Sequence, residues 1–114
     1  VSVASLEAIS MCSRLETLKL TLRPKLPPGN FIRTFTACQH LQVLDIYGAT
    51  DVSDQILGCV MLNMPRLEDF SCSHTGSHLG SFNALSRQLV EAFKAHYPRA
   101  RRIVIEDAVN DSLL

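Results

Sequence analysis

Apolar side chains recur at a fixed interval along the chain, and one short pattern of leucine-type residues appears three times. Each copy has apolar residues at its first, fourth and sixth positions, and the copies begin at the equally spaced Leu15, Leu41 and Leu67. A weaker fourth copy begins at Ala100, after a longer interval. The copies are Leu15/Leu18/Leu20, Leu41/Leu44/Ile46, Leu67/Phe70/Cys72 and Ala100/Ile103/Ile105. A period of this length predicts a stack of repeated units rather than a single non-repetitive globule.

Each repeat is predicted to contain one short strand. Apolar and polar residues alternate over 18–22, 43–47 and 102–106, which is the period of a half-buried strand. The third copy of the pattern, 67–72, falls at the same place in its unit.

Helices are predicted between these strands. Apolar residues return with helical spacing after the candidate N-cap residues Asn30 and Ser53. A further apolar stripe runs from Leu85 to the turn before Pro98, and residues 3–9 resemble the end of an earlier helix. The predicted fold class is therefore α/β, a solenoid of parallel strands and outer helices. Its repeats lie near 12–37, 38–63, 64–96 and 97–114.

Two connections are longer than a tight repeat requires. Residues 23–29 form a proline-rich turn, and residues 74–81 form a loop rich in serine, glycine and histidine. Inserted loops of a solenoid often gather on a binding face, so the loop at 74–81 is a candidate contact region. The alternative is a tolerated surface insertion.

Composition narrows the class of protein. The 114 residues suffice for one domain, 46% of them are hydrophobic, and 11 basic residues balance 11 acidic ones. No net field would therefore attract nucleic acid or an anionic membrane. No apolar run approaches the roughly 20 residues of a spanning helix, and the first residues lack the basic-then-apolar order of a secretion signal. Because the chain starts without Met or a polar cap, we expect a processed product or a piece of a longer solenoid.

The four cysteines, Cys12, Cys38, Cys59 and Cys72, are expected to be structural, reduced thiols. Cys12 and Cys38 hold the same place in successive repeats, and Cys72 replaces a core leucine. Free cysteine packs as a small apolar side chain. The stacking of repeats nevertheless leaves a Cys12–Cys38 disulfide open.

Residues 38–67 carry a recognisable motif. They read Cys38-x-x-Leu41-x-x-Leu44-x-Ile46, then Asp51-Val52-Ser53-Asp54-x-x-Leu57, then Pro65-x-Leu67. This resembles the cysteine-containing class of leucine-rich repeat, and it is similar to the repeat regions of F-box substrate receptors. The resemblance implies a curved horseshoe with parallel strands on its concave side and helices outside. No F-box segment lies within the 114 residues.

If the strands align in this register, side chains between and just after the core leucines form columns on the concave face. The columns are Thr17/Val43/Asp69/Arg102, Lys19/Asp45/Ser71/Val104 and Thr21/Tyr47/Ser73/Glu106. Lys19 and Asp45 would be adjacent and able to form an ion pair. Tyr47 is the candidate anchor for a partner, since tyrosine combines apolar area with a hydroxyl.

Several kinds of chemistry are considered and set aside. A zinc site is considered first, because zinc accepts the side chains of Cys72, His74 and His78. It is set aside because Cys72 is expected to point into the core, whereas both histidines are expected in the loop beyond the strand. No nucleophile elbow or phosphate-binding loop is present, so neither catalysis nor a cofactor is expected. A basic cluster around the last helix-to-strand turn comprises Lys94, His96, Arg99, Arg101 and Arg102. It is interpreted as a solvated edge rather than a nucleic-acid site.

The predicted function is a non-catalytic protein-protein interaction module. The resemblance suggests substrate recognition within an F-box-type ubiquitin ligase, in the cytoplasm or nucleus. A protein partner is expected, without a small-molecule substrate, nucleic acid or a membrane span. The alternative is a structural or assembly subunit of a large complex, with a mitochondrial location as one option.

Overall fold

The computed structural model describes residues 2–21, 26–74 and 85–107. Within these ranges, four helices alternate with four strands. The helices are α1 (Val3–Ser10), α2 (Pro28–Ala37), α3 (Asp54–Asn63) and α4 (Arg87–His96). The strands are β1 (Thr17–Lys19), β2 (Val43–Asp45), β3 (Asp69–His74) and β4 (Arg102–Asp107). The fold is therefore α/β, with a helix before every strand.

The four strands form one parallel sheet in sequence order, β1-β2-β3-β4. Leu18 lies opposite Leu44, Leu44 opposite Phe70, and Phe70 opposite Ile103. Equivalent members of the repeated pattern thus lie next to each other on neighbouring strands. The predicted register is confirmed across the two equal intervals and across the longer one that precedes β4.

The core lies between the sheet and the helices. Leu44 and Phe70 are fully buried, and the ring of Phe70 lies 4.7 Å from that of Phe93 on α4. Phe93 in turn contacts Tyr97, with ring centroids 5.2 Å apart. Because Phe70 shares its sheet face with the other repeated apolar residues, this face is the one that the helices cover.

The helix starts differ in how well sequence predicted them. Ser53 caps α3 as predicted, since its hydroxyl accepts a hydrogen bond from the Ile56 N–H at 3.3 Å. The prediction of Asn30 as a cap is wrong, because α2 begins earlier, at Pro28. A proline fits the first helical position, where its missing N–H costs no hydrogen bond. The described helices have eight to ten residues, and none is long and apolar enough to cross a bilayer.

The first two strands end earlier than predicted, at Lys19 and Asp45. Ladder-like hydrogen bonds continue for one more residue, from Leu20 N to Asp45 O and from Ile46 N to Ser71 O. The chain then turns at Gly48, which has a φ of 83° that glycine adopts without strain.

All four cysteines carry free thiols in the structure. Cys38, Cys59 and Cys72 are buried, as their predicted place in the core requires. Cys12 is exposed, so packing does not explain this position, because the turn that follows α1 faces solvent. Burial, followed by the nearby Cys12 thiol, raises the pKa of Cys38.

Candidate interaction surface

The predicted columns lie on the sheet face opposite the core. Along β4, Arg102, Val104 and Glu106 are exposed while Ile103 and Ile105 between them are half-buried. We call this second face the polar sheet face. It carries the ten residues predicted from sequence, namely Lys19, Thr21, Val43, Asp45, Tyr47, Asp69, Ser71, Ser73, Arg102 and Glu106, together with Thr17 and Val104.

The first column crosses the beginning of every strand. Arg102 Nε donates a hydrogen bond to Asp69 Oδ1 at 3.1 Å, so the last two members form an ion pair. Val43 is half-buried and Thr17 is exposed. A solvent-exposed pair of this kind contributes about 0 to 1 kcal/mol, so its guanidinium and carboxylate stay available to a partner at small cost.

The second column does not form the expected ion pair between Lys19 and Asp45. The Asp45 carboxylate instead accepts a hydrogen bond from the Tyr47 backbone N–H at 3.0 Å, and Lys19 is exposed without a carboxylate partner among the described residues. The reason is local, since a carboxylate two residues before a turn can accept from the turn's own amide. Asp45 therefore fixes the backbone that carries Tyr47.

In the third column, a hydrogen bond links the end of β2 to β4, although these two strands are not neighbours. The Tyr47 hydroxyl donates to Glu106 Oε2. Tyr47 follows β2 and Glu106 belongs to β4, so the bond passes over β3, where Ser73 lies opposite Glu106. The contact with Glu106, and to a smaller extent desolvation, raises the pKa of the Tyr47 hydroxyl. Tyr47 remains 42% exposed, so one side of its ring faces solvent.

Two predicted contact residues are not accessible. Ser71 is 6% exposed and Ser73 is 5% exposed, so their side chains offer little surface to a partner. Both side chains are short, and Ser71 lies between the larger Asp45 of β2 and Val104 of β4. Lys19, Thr21, Tyr47, Arg102 and Glu106 are exposed, whereas Val43, Asp45 and Asp69 are half-buried.

A buried polar cluster lies at the far end of the last two strands, and sequence reasoning missed it. His74 was predicted in a loop but is the last residue of β3, paired with Asp107 of β4. Both are buried. His74 Nδ1 lies 2.6 Å from the Val52 carbonyl oxygen, and Asp107 accepts a hydrogen bond from Leu85 N at 3.0 Å. The sequence did indicate that His74 would be buried. His74 follows Phe70 and Cys72 at alternate positions, and alternate residues of a strand face the same side.

The sulfur chemistry of this cluster is limited by burial. Cys72 is fully buried, and burial together with the nearby Asp107 carboxylate strongly raises its pKa. The reactive form of cysteine is the thiolate, which both effects disfavour. No group of three or more metal-binding side chains occurs in the described ranges, and His78 lies outside them. The loop at 75–81 likewise lies outside the described residues, as do residues 23–25 of the proline-rich turn.

The predicted basic cluster is exposed and divides into two parts. Arg101 lies 3.9 Å from Glu68, and Arg102 pairs with Asp69, so two cations face carboxylates of or beside β3. Arg99 instead borders a cleft of about 510 Å³ between the turns that follow α3 and α4.

Comparisons with known proteins do not identify a family for this chain. The chain shows no significant match to any protein-family model, curated protein or solved structure. The functional interpretation consequently depends on the described contacts and on the motif resemblance of residues 38–67.

Proposed function

We propose that this chain is a segment of a leucine-rich repeat solenoid of the cysteine-containing type, and that it binds a protein partner through the polar sheet face. In this proposal the polar sheet face is the concave side of the solenoid and the helices form its outer side. The equal register of Leu18, Leu44 and Phe70 on adjacent strands supports the repeat assignment.

The observation that carries the binding proposal is the position of Tyr47. The side chain is held from two directions, by the Asp45 carboxylate through its backbone and by Glu106 through its hydroxyl. A held aromatic ring loses little conformational entropy when a partner covers it, and tyrosine is enriched at the residues that dominate binding energy. Lys19 and Arg102 add exposed charges elsewhere on the same face.

A non-catalytic role is consistent with the buried cluster. Cys72 is inaccessible with a raised pKa, and the His74 ring contacts a backbone carbonyl oxygen. A nucleophile requires a thiolate or hydroxyl within reach of both a base and a substrate. The cluster is better interpreted as polar packing at the end of the sheet.

The experiment is affinity capture from a cell extract with quantitative mass spectrometry, using four single variants. Tyr47→Ala and Asp45→Lys change the polar sheet face. Leu62→Ala on α3, where Leu62 is 85% exposed, and Glu91→Lys on α4 are controls of the same type on the helical side. We expect a common set of partners to bind Tyr47→Ala and Asp45→Lys about tenfold less well, a typical effect for a central tyrosine.

Equal capture of all partners by the four variants would exclude the polar sheet face as the binding site. For the biological role, we propose substrate recognition within an F-box-type ubiquitin ligase in the cytoplasm or nucleus. Ubiquitin-ligase subunits co-purifying with the full-length protein would support that role. A stoichiometric large assembly without them would instead indicate a structural subunit, mitochondrial or otherwise.

A further inference from the structure

One position in each helix-to-strand turn carries an arginine or histidine side chain. Arg14, His40, Arg66 and Arg99 each directly precede the first apolar position of one copy of the repeated pattern. Each lies in the turn that precedes a strand, and each is exposed. We call these four residues the turn column. They lie at the edge where the strands begin, apart from Tyr47, which follows the end of β2.

The turns have the same backbone geometry where hydrogen bonds define it. Leu15 N donates to Cys12 O at 3.1 Å, Leu41 N to Cys38 O at 3.5 Å, and Ala100 N to Tyr97 O at 3.1 Å. Because the turns feed adjacent parallel strands, the three arginines and His40 form a row across the sheet edge.

A cleft opens along this row between its last two members. It has a volume of about 510 Å³ and is bordered by Pro65 and Arg66 on one turn and by Pro98 and Arg99 on the next. The prolines give the cleft apolar walls, and Tyr97 also lines it. The cleft can therefore hold an apolar side chain between two cations.

At the end of α3, Arg66 is not needed to satisfy the helix carbonyls. At the C-terminus of α3, the carbonyls of Val60 and Met64 already accept hydrogen bonds from the Tyr97 hydroxyl, at 3.0 and 2.9 Å. In the described part of the chain, ion pairs involve Arg101 and Arg102 but not Arg66 or Arg99. Glu68 borders the same cleft, and its carboxylate lies near Arg101.

We infer that the turn column is a second binding site, for an extended acidic peptide segment of a protein partner. In an extended chain, side chains on one side recur about every 7 Å, and long arginine side chains can adapt to that spacing. Arginine forms paired hydrogen bonds with carboxylates. Non-specific single-stranded nucleic acid would require exposed aromatic rings for stacking, and Tyr97 beside this row is only 6% exposed.

The test uses the intact chain and a short fluorescein-labelled peptide in which glutamates alternate with serine and leucine. Binding is measured by fluorescence anisotropy at low and at physiological salt. We expect Arg66→Glu and Arg99→Glu each to weaken binding about five- to tenfold, because an exposed ion pair is worth up to about fivefold and reversal adds repulsion. Added salt should weaken binding by wild type.

Matched variants separate a site from a general charge effect. Arg33→Glu on α2 and Arg87→Glu on α4 carry the same charge change on exposed helix positions and should bind within about twofold of wild type. His40→Arg should tighten binding, since it places a permanent cation in the row. Tyr47→Ala should leave peptide binding unchanged, which separates this site from the polar sheet face.

Three results would each overturn the inference. Equal weakening by Arg33→Glu and Arg66→Glu would show that only net charge matters. Equal binding of a peptide with glutamine in place of glutamate would remove the carboxylates from recognition. Displacement of the peptide by lower concentrations of a single-stranded oligonucleotide than of unlabelled peptide would identify the row as a nucleic-acid site.

Discussion

Successive side chains of each strand point to opposite faces of the sheet, and the two faces bury them by different means. On the core face, Leu44 and Phe70 are fully buried because helices cover them. On the polar sheet face, where none of the described helices packs, Ser73 is nearly buried while Tyr47 is 42% exposed, and the short serine lies between longer neighbours. Strand position therefore predicts which face a side chain points to, whereas its burial also depends on the neighbouring side chains and helices.

The two tyrosines show the same contrast in detail. The Tyr97 hydroxyl is buried and donates to two backbone carbonyls at the end of α3. The Tyr47 hydroxyl donates to a carboxylate in contact with solvent. Tyr97 therefore joins the ends of α4 and α3 inside the protein, while Tyr47 is positioned at its surface.

The largest expected effect is on the core face. Phe70→Ala should lower the free energy of unfolding by about 3–5 kcal/mol, and Leu44→Ala by about 2–5 kcal/mol, because each leaves a cavity beneath the helices. Val104→Ala, on the polar sheet face beside Ser71, is the control and should change stability by less than about 1 kcal/mol. Urea denaturation followed by circular dichroism measures all three. A similar loss for Val104→Ala would break the contrast between the faces.

An intermediate effect is expected from the tyrosine hydroxyls. Tyr97→Phe should destabilise the protein by about 1–2 kcal/mol, because the change removes a buried hydroxyl that donates to the Met64 carbonyl and shares the Val60 carbonyl with the Met64 N–H. Tyr47→Phe should leave stability nearly unchanged, since water replaces the lost contact with Glu106. If the two variants unfold at the same urea concentration, the distinction between the tyrosines is wrong.

The same comparison has a pH dependence with a defined sign. Burial strongly raises the pKa of Tyr97, so the native state keeps this proton at a pH where the unfolded chain, with tyrosine near its ordinary value of about 10, loses it. The free energy of unfolding should therefore fall as the pH rises above about 10. Tyr97→Phe should show a weaker fall in the same titration.

Much of the fold was predictable from sequence because it depends on periodic apolar positions. The constant interval between copies of the pattern predicted the partners of Leu18 and Leu44, and the Ser53 motif predicted the start of α3. Asn30 failed as a cap because Pro28 can start a helix by its fixed φ alone, which the apolar pattern does not encode. Local sequence therefore predicted the strand register better than the helix boundary.

The surface was less predictable because it depends on contacts between distant residues. Nothing in the sequence near Tyr47 indicated that Glu106, in another repeat, would accept its hydrogen bond. The Lys19–Asp45 pair failed because a nearer backbone amide competed for the carboxylate. Alternation correctly placed Ser71 and Ser73 in their columns, but it could not report the side chains that cover them.

Those two serines give the smallest expected effect and the sharpest test of burial without a helix. Both are buried on the polar sheet face, yet their hydroxyls differ. Ser73 Oγ accepts a hydrogen bond from Gly48 N at 3.3 Å, whereas Ser71 Oγ has no hydrogen-bond partner among the described residues. A buried hydroxyl without a partner carries a desolvation penalty that alanine does not.

We therefore expect Ser71→Ala to be neutral or to stabilise the protein by up to about 1 kcal/mol, and Ser73→Ala to destabilise it by about 0.5–1 kcal/mol. The two changes delete the same atom at equivalent depths, so their difference isolates the hydrogen bond to Gly48 from the effect of burial. Paired urea titrations give that difference directly. If Ser71→Ala loses as much stability as Ser73→Ala, the Ser71 hydroxyl must have a hydrogen-bond partner, such as a bound water. Neighbouring side chains would then exclude water from this face less completely than the helices exclude it from the core face.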